Sequence, residues 1–216
     1  NGTLNFTGSG LLIMGGGEPR IYINGYYGDI DTTPEVFWKN VEVTVYFMRI
    51  GTDGANWGGC IIGARSGPEG HSGSNNCTAT TYYARVRYDG KLDFEKELMH
   101  TPSTVGISLS GTWGTGAVLP SDRWIGVKYA SYNINGGSQV KLELYLDKES
   151  GGAGGGTWEK VLEFVDDGNW SSPADGCSFP DTFVVTEGGG VVFIRNSAAA
   201  EARYKWFSVR EIVAGN

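Results

Sequence analysis

Chemistry-bearing side chains crowd into one stretch, Thr80 to His100, TTYYARVRYDGKLDFEKELMH. Arginines, three tyrosines, a histidine and four carboxylates lie within about twenty residues, and a second histidine, His71, lies just upstream with Arg65. These are the groups required to remove a proton next to a carboxylate. A cation must neutralise that carboxylate, a base must take the proton, and an acid must protonate the leaving oxygen. Arg65 or Arg85 suits the first role, His71 or His100 the second and Tyr83 the third. Arg87, Lys96, Asp93, Glu95, Glu97 and Trp113 are the expected substrate-binding residues around them. The reaction they suit is β-elimination on an acidic, uronate-containing glycan. The plainer reading of the same charges is a solvated sheet face with cross-strand ion pairs, each worth roughly 0.2–1 kcal/mol.

The element that must position these groups is a β-hairpin. Its arms alternate around Asp89-Gly90, with Tyr82, Ala84, Val86 and Tyr88 on one face of the first arm. Leu92, Phe94, Lys96 and Leu98 share a face of the second arm, opposite Asp93, Glu95 and Glu97. A two-residue turn would pair Arg85 with Phe94 and Val86 with Asp93. A three-residue loop with a left-handed Gly90 moves the register by one and aligns apolar with apolar. Burying unpaired charge costs several kcal/mol, so the second register is expected. It places Tyr83, Arg85, Arg87, Asp93, Glu95 and Glu97 on one polar face.

Composition sets the frame. At 216 residues with no repeat period, the chain reads as one domain, 1–216, large enough for a substantial core. Thirty-five glycines alongside 12% aromatics indicate many tight turns between strands. A net charge of −7 argues against nucleic acid as a partner, and no apolar run approaches a membrane span. An anionic polysaccharide remains open because the cations are concentrated locally. Cys60 lies in an apolar strand, GGCIIGA, and reads as a free buried thiol. Cys77 and Cys177 lie in polar loops and are the expected disulfide pair. That bridge, four Asn-x-Ser/Thr triplets and an opening on Asn without a signal peptide suggest a processed, secreted glycoprotein.

Along the chain, short strands are expected at residues 3–7, 10–14, 182–186 and 191–196, and at Arg20 to Asn24. Longer ones are expected at Trp38 to Arg49, Ala55 to Ala64, Trp124 to Asn133, Gln139 to Asp147, Trp158 to Val165 and Arg203 to Val213. Residues after the hairpin, through Pro120, read as a connector carrying Trp113. GGAGGG between Ser150 and Thr157 reads as a flexible tip, since it lacks the Lys-Ser/Thr ending of a phosphate loop. Trp57, Trp113 and Trp170 are available to stack on sugar rings, while Trp124 and Trp206 fall in strands and are assigned to the core. Neither a Ser/His/Asp triad nor a zinc signature is present. No cofactor is expected; Asp29 and Asp31 could face solvent or help ligate a structural calcium, an ion that takes six to eight oxygens. Eleven or more strands without helices define an all-β sandwich or barrel.

The closing KWFSVREI after GGGVVFIRN, with the long WKNVEVTVYFMR strand, resembles the concanavalin A-like jelly-roll superfamily. That resemblance covers nearly the whole chain in strand order. It implies two curved antiparallel sheets, with glycan bound on the concave one and the hairpin's polar face lining the groove. Retaining glucanases of that superfamily carry Glu-x-Asp-x-Glu on one strand; here Asp93-Phe-Glu95-Lys-Glu97 presents three alternating carboxylates in another order. The alginate-lyase-like group carries a Gln-Ile-His that this chain lacks, so the resemblance is to a divergent polysaccharide lyase. Two further classes are compatible with the same residues. One is a lectin-like binding module using Tyr83 and tryptophans; the other is a structural protein assembling through strand edges.

Overall fold

The structure, a computed structural model, describes residues 2–24, 38–67, 75–110 and 118–213. Among these, thirteen strands form two antiparallel sheets, and the short helical turns are all of the 3-10 type. Sheet A has the order β1-β2-β13-β4-β9-β10-β11. Its strands are β1 (Thr3–Phe6), β2 (Leu12–Gly15), β4 (Val41–Arg49), β9 (Ile125–Ile134), β10 (Gln139–Asp147), β11 (Glu159–Asp166) and β13 (Ala202–Glu211). Sheet B has the order β3-β12-β5-β6-β7-β8, from β3 (Arg20–Asn24), β12 (Val191–Ala199), β5 (Gly54–Ser66), β6 (Thr81–Arg87), β7 (Leu92–Glu97) and β8 (Thr104–Leu109). This is a jelly-roll sandwich.

Alternation in sequence explains which side of each strand enters the core. Val41, Val43, Val45 and Phe47 of β4 and Val140, Leu142, Leu144 and Leu146 of β10 meet Ile62, Ala84, Val86 and Phe94 of sheet B. Cys60 is free and buried on β5, a central strand. The hairpin pairs Val86 with Leu92, Ala84 with Phe94 and Tyr83 with Glu95, and Gly90 takes φ +81°. This is the three-residue loop and the register that apolar matching required.

Three expectations for secondary structure do not hold. β8 falls within what reads as a connector, since its TVGISL carries a glycine and only one strongly alternating pair. Residues 182–186 form no strand; Val185 is buried, but its N–H bonds the Tyr82 hydroxyl (3.1 Å) instead of a ladder. The glycine run forms a 3-10 turn, Ala153–Gly155, lying against aromatic rings. Cys77 and Cys177 are bridged, with Cα atoms 5.5 Å apart and a sequence separation of 100. Closing a loop that long stabilises the fold by about 4–5 kcal/mol through chain entropy.

Candidate functional site

The outer face of sheet B is built from β12, β5, β6 and β7. Tyr83 packs there with Ile61, Val191 and Phe193 in a cluster separate from the main core. Gly63 is required beneath it, because a Cβ would stand 2.3 Å from the Phe193 ring. Arg85, Arg87, Asp93, Glu95 and Glu97 share this face, as the alternation demanded, but the face is not an open, solvated surface. Tyr83 is 2% exposed and Asp93 1%.

Charges on this face answer one another. Arg85 binds Asp93 through two nitrogens (2.5 and 2.7 Å) and reaches Glu95 at 2.8 Å. Arg87 pairs with Asp89 at 2.7 Å and with Asp93 at 3.5 Å. Two arginines thus face three carboxylates, leaving no surplus cation here for an anionic substrate. Burial pushes the Glu95 carboxyl above its ordinary range, aided by Asp93, against the pull of Arg85. Glu97 is raised for the same reason, although Tyr83 and His100 both hydrogen-bond it.

Those bonds form a chain. The Tyr83 hydroxyl donates to Glu97 Oε2 (2.7 Å), and Glu97 Oε1 holds His100 Nδ1 (2.8 Å). With 41% of its side chain exposed, His100 is the member that solvent reaches. Burial and the Glu97 charge push the Tyr83 phenol well above its usual value, so it serves to orient Glu97 and is ill suited to give up a proton. Nearby on the same face lie Arg195 and Arg20, which the sequence reading missed. The Arg195 guanidinium carbon stands 5.8 Å from the Tyr83 ring centroid. Both arginines share one carboxylate, Glu18, at 3.8 and 3.7 Å. The buried Nε of each has no hydrogen-bond partner among the described residues. Alternation in VVFIRN places Arg195 on the Phe193 face, a signal overshadowed by the denser hairpin.

Three of the expected residues, Arg65, Lys96 and Trp170, are elsewhere. Arg65 lies inside the sandwich with a left-handed φ of +56° and no exposed surface. It donates to Ser131 Oγ (2.8 Å) and to the carbonyls of Val185 (2.8 Å) and Thr186 (3.1 Å), tying sheet B to sheet A. Burial lowers its pKa to about 10, against the raising influence of Tyr82, Tyr129 and Glu187. Lys96 is also fully buried between the sheets, bound to Asp166 (2.7 Å) and to the Trp170 carbonyl (2.9 Å). Its place among Leu92, Phe94 and Leu98 foretold that; a buried lysine with a buried partner is a structural pair and does not reach a ligand. Trp170 is likewise core, edge-on to Phe164. His71, Trp113, Asp29 and Asp31 lie outside the described residues.

Comparison with known proteins bears on the fold. No family model and no curated protein matches the chain. Among solved structures, it is similar to the VIP36 exoplasmic/lumenal domain in a Ca2+/Man3GlcNAc-bound form, with TM-score 0.53 and 8% identity over 100% of this chain and 86% of that one. A SAP-like pentraxin from Limulus polyphemus gives TM-score 0.41 and 11% identity over 82% of this chain and 66% of the pentraxin. Alginate lyase vAL-1 from Chlorella virus gives 0.40 and 10% over 94% and 76%. The fold is the concanavalin A-like jelly roll.

Proposed function

We propose that this chain is an extracellular protein that cleaves an acidic polysaccharide by β-elimination, with His100 as the proton-transfer residue. The observation that carries the reading is the Tyr83–Glu97–His100 hydrogen-bond chain beside the incompletely bonded Arg195 and Arg20. In this reading the guanidinium of Arg195 accepts the uronate carboxylate, which lowers the cost of charge at C5. His100 takes the C5 proton, the C4–O bond breaks as C4=C5 forms, and the same imidazolium returns the proton to the leaving oxygen. Glu97 is a positioning residue that fixes the ring and stabilises its charged form, with Tyr83 holding Glu97 in turn. The Cys77–Cys177 bridge supports an oxidising compartment.

The test is to incubate the protein with polyuronates and follow the ultraviolet absorbance of the unsaturated product. His100→Ala should lower kcat by about 10²–10⁴-fold. Arg195→Ala should raise KM and lower kcat/KM. Glu97→Gln should lower kcat at nearly unchanged KM. Unsaturated product formed at full rate by His100→Ala would remove the proposed base. A second reading, a non-catalytic glycan-binding module, is favoured by the mutual pairing of Arg85, Arg87, Asp93 and Glu95, which leaves that part of the face without a working acid or base. Glycan binding with neither unsaturated product nor new reducing ends supports that module.

A further inference from the structure

The outer face of sheet A, on the opposite side of the sandwich, carries an aromatic cleft that the hairpin chemistry does not use. β13 loses its register with β4 between Lys205 and Ser208. At that bulge Trp206 takes φ +54°, a conformation bulky residues rarely adopt. The bulge turns the indole outward, where it is 57% exposed. Its ring stands edge-on to Tyr46, with centroids 5.4 Å apart, and Trp158 flanks Tyr46 on the other side at 5.6 Å. The three rings bound a cleft of about 380 Å³, at the small end of ligand pockets.

Its walls are held in place. Asp147 fixes the loop after β10 by accepting from the backbone N–H of Ser150 (3.0 Å), from the Ser150 hydroxyl and from the Tyr46 hydroxyl (2.7 Å). The loop is glycine here for close approach. A Cβ on Gly152 would lie 2.0 Å from the Trp206 ring, and one on Gly156 would lie 2.4 Å from the Tyr46 hydroxyl. Lys205 supports Trp206 with its ammonium 4.0 Å from the ring centroid.

Charge around the cleft is positive in a chain of net charge −7. Lys128, 4.5 Å from the Trp158 centroid, and Arg210 both line it, and together they share the single carboxylate of Glu42. Asp147 is fully buried and bonded beneath the cleft, so its charge is not presented to a ligand. An aromatic wall accepts the apolar C–H face of a pyranose ring, and the surplus cation accepts a ring-borne anion. We propose that this cleft is a second, non-catalytic site for one acidic sugar unit, a carboxylated or sulfated pyranose, stacked between Trp206 and Trp158 with its anion at Lys128 and Arg210.

The site is tested in an Arg195→Ala background, which separates it from the sheet B face. Tetragalacturonate is titrated against tryptophan fluorescence, with cellotetraose as the neutral control. Saturable quenching by tetragalacturonate is expected, weakened by roughly tenfold or more in Trp206→Ala. Lys128→Ala/Arg210→Ala keeps the aromatic walls and should abolish the preference for the acidic over the neutral sugar. Unchanged affinity in both variants, with melting temperatures matching the parent, overturns the site. Equal binding of cellotetraose by the parent overturns the acidic class. Loss of elimination activity elsewhere in the molecule leaves this result unaffected.

Discussion

On the outer face of sheet B, burial drives the Glu95 and Glu97 carboxyls upward; on the outer face of sheet A, Asp147 is held down to about 2. Both regions are buried, so burial alone does not decide the direction. Around Asp147 burial also pushes upward, but hydrogen bonds from Ser150 and Tyr46 and from the backbone of Ser150 and Glu149 outweigh it. Glu95 and Glu97 sit on one strand two residues apart; the charge of Asp93 adds to burial in opposing ionisation of Glu95, while burial alone raises Glu97 against its bonds from Tyr83 and His100. A carboxylate that anchors a loop is saturated with donors; carboxylates packed into a ladder compete for them. The second arrangement is where proton transfer is to be sought.

The largest expected consequence of that difference is at Asp93. It binds Arg85 twice and Arg87 once while almost fully buried. Asp93→Ala should cost about 3–5 kcal/mol in urea unfolding, because two arginines are left without their shared partner. A loss well below 1 kcal/mol would mean that the face is effectively solvated and that the contrast between the two sheets is false.

The pH dependence should differ in sign. Asp147 is bound to its proton less tightly when folded, so its contribution is complete above about 3.8 and lost as pH falls through about 2. That contribution is roughly 2 kcal/mol, and Asp147→Asn should flatten the acid side of a melting-temperature profile. Glu97 binds its proton more tightly when folded. Stability from it is present below the ordinary glutamate value of 4.5 and lost as pH rises through its raised value. Glu97→Gln should therefore flatten the opposite side of the profile; an unaltered slope there would show that Glu97 ionises freely.

How far the sequence reached follows the same physics. Register in the hairpin was legible because one misplaced charge is costly, and Val86, Ala84 and Phe94 left one alignment without such a charge. The disulfide was legible from its two polar loops. Arg65 was misplaced because the strand reads as ending at Ala64, whereas it continues through Ser66 and a left-handed backbone at Arg65 turns the side chain into the sandwich. Trp206 was misplaced by the same kind of event, a bulge that no period-two pattern reveals. Arg195 had the right alternation but no neighbouring charge to draw notice.

Gly152 sharpens the sheet A side of the comparison. Its φ is +91° and a Cβ would meet Trp206 at 2.0 Å, so Gly152→Ala combines strain with a clash. A loss of about 1–2 kcal/mol is expected, with a shift in tryptophan emission as the loop moves off the ring. If stability falls while emission stays constant, the loop has relaxed without the indole, and the glycine serves the turn alone.

Lys160 marks the lower limit. It bridges Glu143 (3.3 Å) and Glu163 (2.6 Å) on the same outer face as Asp147, and these bonds push its pKa upward. Yet water surrounds the ammonium and Glu163, and the energy of such a pair is offset by hydration and by the entropy of two long side chains. Lys160→Ala should give no resolvable change in melting temperature, whereas Asp93→Ala gives a large one. The two pairs have similar distances, 2.6 and 2.5 Å. If Lys160→Ala were as damaging as Asp93→Ala, contact distance would govern these ion pairs and burial would not, and the reason for placing the reactive groups on sheet B would fall with it.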